Sequence, residues 1–137
     1  MHKTVLDAIG NTPLVEVPLP SSSGILYAKL EYLNPGGSVK DRSALYMVEY
    51  AEKHGLLKPG GTLIDASSGN HGIAVAIIGA AKKYSVIITV SEKVSHEKLQ
   101  TLRAYGAEVI ICPSTEFIED PRSYHSQAVA LHQSTPN

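Results

Sequence analysis

Cys112 is the one cysteine in 137 residues, so no disulfide can form within the chain, and a reducing compartment, the cytoplasm, is the expected location. It closes the apolar run Val109-Ile110-Ile111-Cys112, where a buried, inert thiol is expected rather than a nucleophile. Charge of one sign is not in excess either. Twelve Lys and Arg against 13 Asp and Glu leave a net charge of −1, which removes any electrostatic reason to expect nucleic acid or an anionic membrane as a partner. Basic residues are not interleaved with aromatics. Long apolar runs are missing too: the longest, residues 73–81, is too short to cross a bilayer, and residues 1–5 hold no apolar signal-peptide core. Nor do the histidines cluster. His2, His54, His96, His125 and His132 stand apart from carboxylates and cysteines at ligand spacing, and the pair His125 and His132 lacks a third ligand, so no metal is expected.

What is present is the composition of a soluble globular protein, 43% hydrophobic and 18% charged, long enough for one domain with a core and too short for two full ones. Leu14-Val15-Glu16-Val17 is a short strand candidate cut off by Pro18 and Pro20, residues 21–24 a loop, and residues 25–30 a second strand. A helix follows the break at Asn34-Pro35-Gly36-Gly37. In it Ala44, Val48 and Ala51 share a face with Leu45, Glu49 stands four residues before Lys53, and Gly55 ends it.

Three strands then alternate with helices. The strands are residues 62–66, 85–90 and 107–112; the helices are residues 70–84, apolar on almost every side and therefore buried, and 95–105, with Ser95 as cap and Gly106 as stop. Asp120-Pro121 is the expected start of a last helix in which Tyr124, Ala128 and Leu131 share a face. This alternation predicts an α/β fold with a parallel sheet and flanking helices. Ligands of such sheets collect beyond the carboxyl ends of the strands, which singles out the turn after residue 66.

Two glycine-containing turns leading into helices carry the chemistry: Gly36-Gly37-Ser38-Val39-Lys40-Asp41-Arg42 and Ser67-Ser68-Gly69-Asn70-His71-Gly72. Each offers free backbone N–H groups and the positive end of a helix dipole. Ser38 and Asp41 have the spacing of a capping box, which puts Lys40 in the first helical turn. The dipole disfavours an ammonium there, and partial burial would further favour the neutral amine, the form that attacks an aldehyde. The same spacing also suits an ordinary exposed lysine near a helix start. Asp41 and Arg42 read as structural.

Pro35-Gly-Gly-Ser-Val-Lys-Asp-Arg42, Ile9-Gly-Asn-Thr-Pro-Leu14, Ala28-Lys-Leu-Glu31 and Leu102-Arg-Ala-Tyr-Gly-Ala-Glu108, with the Ser67 to Gly72 turn, resemble the fold type II enzymes that use pyridoxal 5′-phosphate, above all the cysteine synthase and cystathionine β-synthase family. The resemblance implies that Lys40 is the catalytic amine that condenses with the cofactor and that Asn70 binds the cofactor's 3′ oxygen. It also implies that Ser67, Ser68, Gly69, Asn70 and His71 hold the substrate carboxylate. His71 departs from the family, which usually has threonine there, and the wording Ser-Ser-Gly-Asn-His-Gly is similar to the serine/threonine dehydratase and serine racemase relatives.

The resemblance implies two α/β domains with the cofactor between them. Residues 1–37 would supply strands that belong with an absent larger domain, and residues 38–137 the small α/β domain. Lacking the glycine-rich phosphate cup of the larger domain, the chain alone is expected to hold the cofactor weakly or not at all, and to be inactive. The complete protein is expected to be a cytoplasmic homodimer that makes a β-substituted amino acid from serine or activated serine and a nucleophile. Two alternatives remain at this point: an elimination or racemisation enzyme with the same cofactor, and a non-catalytic folding or association module. Strands 14–17 and 25–30, without their sheet, are expected to be disordered, repositioned or used between chains.

Overall fold

The computed structural model of the chain describes residues 3–20, 24–115 and 117–135. At its centre the β-branched run Val86-Ile87-Ile88-Thr89-Val90 forms strand β4 (Ser85–Ser91), in which Val86, Ile88, Thr89 and Val90 are buried. β3 (Thr62–Ala66) and β5 (Glu108–Cys112) pair with it in parallel on either side, giving the order β3-β4-β5. Ile88 lies opposite Asp65 on one side and Val109 on the other. The predicted parallel α/β sheet is therefore present.

Successive side chains of a strand face opposite ways, and β4 shows what covers each face. Ile88 lies under Gly72 in the first turn of α2 (Asn70–Lys82), whereas Thr89 donates its hydroxyl hydrogen bond to the Tyr124 carbonyl of α4 (Tyr124–Ser134) at 2.7 Å. Helix α2 buries Ala74 through Gly79 and is flanked by α1 (Lys40–Lys53) and α3 (His96–Ala104). In α1 the expected face is inward: Ala44 and Val48 are buried, with Leu45 and Ala51 packed against the core. Cys112 is buried at the end of β5, and desolvation pushes its thiol up from the usual range, the condition of an unreactive cysteine.

Several local expectations are corrected. The last helix begins at Tyr124 rather than at Asp120-Pro121. Buried Ser123 is its cap and accepts the Ser126 N–H at 3.1 Å, while the Asp120 carboxylate accepts from the Arg122 backbone and guanidinium instead and is held at about 2. Helix α2 stops at Lys82, with Lys83 in the left-handed region at φ 62°. Glu49 and Lys53 are both exposed and form no ion pair among the described residues. The Ser38–Asp41 capping box does not form either: Val39 precedes the helix, and Ser38 Oγ accepts the Lys40 N–H at 3.1 Å. Asp41 turns back to accept the Gly36 N–H at 2.5 Å.

The first two strands are neither disordered nor without partners. β1 (Leu14–Val17) and β2 (Leu26–Lys29) pair with each other in an antiparallel two-stranded sheet, apart from the main one. Residues 21–23 of the loop between them lie outside the described residues, as do residues 1, 2, 136 and 137. A polar knot fastens this ribbon to α1. The Arg42 guanidinium donates to both Glu31 carboxylate oxygens, at 2.8 and 2.9 Å, and to Thr12 Oγ1 at 3.2 Å. Asn34 completes it, donating to Glu31 at 3.0 Å and accepting the Gly10 N–H at 2.8 Å.

Candidate active site

The helices α1 and α2 are clamped at their carboxyl ends. Glu52 accepts from Lys82 Nζ and from the Tyr84 hydroxyl, both at 2.8 Å. These two donors hold the Glu52 carboxyl below its usual range, and the same contact raises the Tyr84 hydroxyl. Twelve residues separate Glu52 from Lys40 and twelve separate Lys82 from Asn70, about 18 Å along either helix at 1.5 Å per residue. The clamp holds the carboxyl ends together, with the amino ends at the far end of each helix. Lys40 and Asn70 open their helices there, and the turn at residues 67–69 leads from β3 into Asn70.

A groove lies between α1, β3 and α2, and of the residues expected from the sequence to form the site only His71 lines it. Ala44, Val48, Leu63, Asp65, His71 and Val75 line an open groove of about 240 Å³. Lys40 stands one turn above Ala44 and two above Val48, on the same stripe of α1. It is exposed, one of the two environments its spacing allowed, and its amine makes no hydrogen bond or ion pair among the described residues.

The second turn is shaped by its own first serine. Ser67 Oγ accepts the Gly69 N–H at 3.3 Å and the Gly72 N–H at 3.1 Å, so its lone pairs hold the loop and do not face a ligand. A Cβ on Gly72 would stand 2.5 Å from the Ser67 carbonyl oxygen, which makes this glycine necessary for the turn. The N–H groups of Ser68, Asn70 and His71 have no partner among the described residues, and the space in front of Gly69 is open. Free N–H groups at a helix amino end with no side chain in front of them suit an anion. Asn70 is exposed with its amide unengaged.

His71 is held differently. Its Nδ1 lies 3.2 Å from Asp65 Oδ2, so the proton is on Nδ1 and the ring turns toward the groove shared with α1. Asp65 was not anticipated from the sequence. It is the penultimate residue of β3, six positions before a histidine in the first helical turn, and that spacing across a strand-to-helix turn was the available signal. Asp41, read from the sequence as a helix-start residue, instead supports the first turn from below. It is buried, burial raises its carboxyl above the usual range, and its Oδ1 has no hydrogen-bond partner among the described residues. A Cβ on Gly36 would sit 2.4 Å from that oxygen, so only glycine fits above it.

The donor set fits a cofactor that offers an aldehyde, an acidic ring oxygen and a substrate carboxylate to bind. The accessible amine stands at the amino end of α1, and the free amide and unused N–H groups at that of α2. Among the described residues no group of three His, Cys, Asp or Glu is arranged to hold a metal ion, and no helix is long and apolar enough to cross a membrane.

Comparison with known proteins agrees with this chemistry. Residues 5–136 match the family described as pyridoxal-phosphate dependent enzyme. The chain is 47% identical to the cystathionine beta-synthase of Apis mellifera over 97% of its own length and 27% of that protein. It is 46% identical to the cysteine synthase of Staphylococcus aureus over 114 residues, covering 82% of the chain and 37% of that enzyme. A solved structure of a hydrogen sulfide-producing enzyme from Fusobacterium nucleatum superposes with a TM-score of 0.89 at 38% identity, covering 100% of this chain and 44% of that one. The chain thus spans about a quarter of the length of the cystathionine beta-synthase it matches.

Proposed function

Because the chain belongs to the pyridoxal-phosphate dependent enzymes, we propose that the complete protein is a β-replacement enzyme of the cysteine synthase and cystathionine β-synthase kind, of which these residues are the N-terminal portion. The observation that supports the reading is the clamp between the carboxyl ends of α1 and α2, which leaves Lys40 and the 67–72 turn at the amino ends of two paired helices. Bound pyridoxal phosphate supplies an aldehyde for an amine and a conjugated ring that accepts an electron pair.

Lys40 Nζ is the amine that holds the cofactor. Once displaced by the incoming amino acid, it takes the proton from the substrate's Cα. Asn70 donates from its amide to the cofactor's 3′ oxygen. The N–H groups of Ser68, Asn70 and His71 bind the substrate carboxylate and orient the Cα–H bond toward Lys40, while Gly69 leaves room for it and Ser67 keeps the turn in shape. With the cofactor bound, a β-substituent could leave with its bonding pair and a thiol or sulfide could add at the same carbon, Lys40 returning its proton to Cα.

The β1–β2 ribbon, with Leu14, Ile25, Leu26 and Tyr27 exposed, supports assigning residues 1–37 to a larger domain that would cover them. That domain supplies the phosphate site, so the isolated chain is inactive or nearly so. The complete protein works in the cytoplasm as a homodimer. His71 favours a second reading, elimination or racemisation, because an imidazole held by Asp65 stands where the replacement enzymes carry a hydroxyl.

The test is spectral and chemical. The complete protein should be yellow with pyridoxal phosphate, lose that colour in Lys40→Ala, and convert O-activated serine and sulfide to a thiol amino acid. Pyruvate and ammonia with no sulfur product would select the second reading. A Lys40→Ala variant that keeps colour and turnover would overturn both.

A further inference from the structure

Polar burial in this chain is concentrated at the start of α1. Of the six buried polar side chains among the described residues, Asn34, Ser38 and Asp41 flank Lys40 and Thr12 belongs to the knot beside it, which leaves Thr89 and Ser123 for the whole α/β core. A buried polar group costs stability unless it is bonded, so four in one place hold a geometry rather than add apolar area. Three of them shape the strap that leads into α1. Asp41 Oδ2 accepts the Gly36 N–H at 2.5 Å, the Gly37 N–H returns to the Asn34 carbonyl at 2.8 Å, and Ser38 Oγ accepts the Lys40 N–H at 3.1 Å. Residues 36–41 are thus closed into a ring, and Lys40 is one of its exposed members.

A carboxyl is a costly group in this place. Asp41 is 1% exposed, its Oδ1 has no hydrogen-bond partner, and no cation is paired with it among the described residues, since Arg42 turns to Glu31 and the Lys40 amine is unpaired. An exposed serine or aspartate before the helix would cap it without that cost. Nor does the cost depend on what the complete protein packs around the strap, because atoms of this chain already seal the carboxyl: a Cβ on Gly36 would stand 2.4 Å from Oδ1.

We propose that Asp41 is the positioning residue for Lys40: its grip on the Gly36 N–H fixes the strap, and through it the backbone from which the amine reaches the cofactor. A buried group kept at a cost then serves to hold one arrangement of the chain around it. The Lys40 side chain has no partner of its own, so it is free to leave the cofactor and return. The precision of its reach comes from the backbone that carries it. The assignment rests on the reading of Lys40 as the amine that holds pyridoxal phosphate, and Asp41 itself touches neither cofactor nor substrate.

Three variants test it, each checked for an unchanged far-ultraviolet circular dichroism spectrum. Asp41→Ala removes the grip, Asp41→Asn keeps an acceptor for the Gly36 N–H, and Gly36→Ala forces the strap off the carboxyl while leaving Asp41 in place, so that it stands in if Asp41→Ala does not fold. In the complete protein with pyridoxal phosphate, O-activated serine and sulfide, Asp41→Ala and Gly36→Ala should lower kcat by about 10–100-fold while KM for the amino acid stays within about twofold, because the 67–72 turn is untouched. They should also change the visible circular dichroism of the bound cofactor, which a loss of stability alone does not. Asp41→Asn should keep both kcat and that signal. In the cofactor-free 137-residue chain, hydrogen exchange at the Gly36 and Lys40 amides should accelerate in Asp41→Ala while β4 amides keep their protection. A folded Asp41→Ala or Gly36→Ala with unchanged kcat and visible signal would overturn the assignment, and so would an Asp41→Asn variant as impaired as Asp41→Ala. A wild-type protein in which Lys40 carries no cofactor would instead overturn the reading beneath it, and the exchange measurement would still report on the grip.

Discussion

The α/β unit and the β1–β2 ribbon are both built on strands, yet different forces hold them. In the first, Ile78, Ile88, Val90 and Leu102 are fully buried, and the strands share one apolar core with the helices. In the second, Leu14, Ile25, Leu26 and Tyr27 face outward, and the ribbon itself is fastened through Arg42, Glu31, Thr12 and Asn34, with only Leu6 and Ile9 just before it packed against the core. Burial of apolar area is indifferent to pH and salt, while a carboxylate–guanidinium knot is not. The two regions should therefore fail separately.

The largest effect is expected in the core. Ile88→Ala leaves a cavity beneath α2 where no water can enter, and should lower the stability of the whole chain by about 2–5 kcal/mol, read from urea unfolding. Both regions should lose protection together, because the ribbon has nothing else to dock on.

Arg42→Ala should break the comparison the other way. Hydrogen exchange at β1 and β2 amides should accelerate while β4 amides keep their protection. Acid should do the same. Arg42, then Thr12, hold the Glu31 carboxyl at about 2, so its folded pKa lies below the unfolded one. The stabilisation it provides is present at neutral pH and is lost as pH falls through the window from 4.5 to about 2. Equal loss of protection in both regions across that window would contradict the separation.

A smaller effect of opposite sign belongs to Asp41, whose carboxyl burial raises. Its folded pKa lies above the unfolded one, so its contribution improves as pH falls into the window between them and worsens as pH rises through it. Asp41→Asn keeps an oxygen for the Gly36 N–H and removes the buried charge. It should change stability at neutral pH by less than about 1 kcal/mol, in the favourable direction, and should remove that share of the pH dependence.

Smallest of all, Lys40→Ala should leave stability within about 0.5 kcal/mol, because an exposed side chain without a partner holds nothing in place. Its part in function can then be measured without a loss of fold.

Most of the α/β unit was legible in the sequence. Apolar runs of strand length alternated with helical periodicity, and Ser95 and Gly106 marked ends that the structure keeps. The two turns at residues 36–42 and 67–72 were legible for the same reason, since glycine and a following helix are both local, although the expected cap at Ser38 does not form. What spacing did not disclose was tertiary. Whether Asp41 bonds Ser38 or Gly36 depends on how the loop folds back, and Asp65 meets His71 only after the chain turns out of β3. Ser123 outcompeted Asp120 as a cap because Arg122 engages that carboxylate. The exposure of Lys40 also depended on what stands around it, and no local pattern reports that.

Borohydride reduction of the complete protein in the presence of the cofactor tests most directly whether Lys40 is the amine that receives pyridoxal phosphate. Peptide mapping by mass spectrometry should find the pyridoxyl group on Lys40 in near one-to-one yield, and should find none in the Lys40→Arg variant. Label distributed over Lys53, Lys58, Lys93 and other surface amines, with Lys40 unmodified, would contradict it.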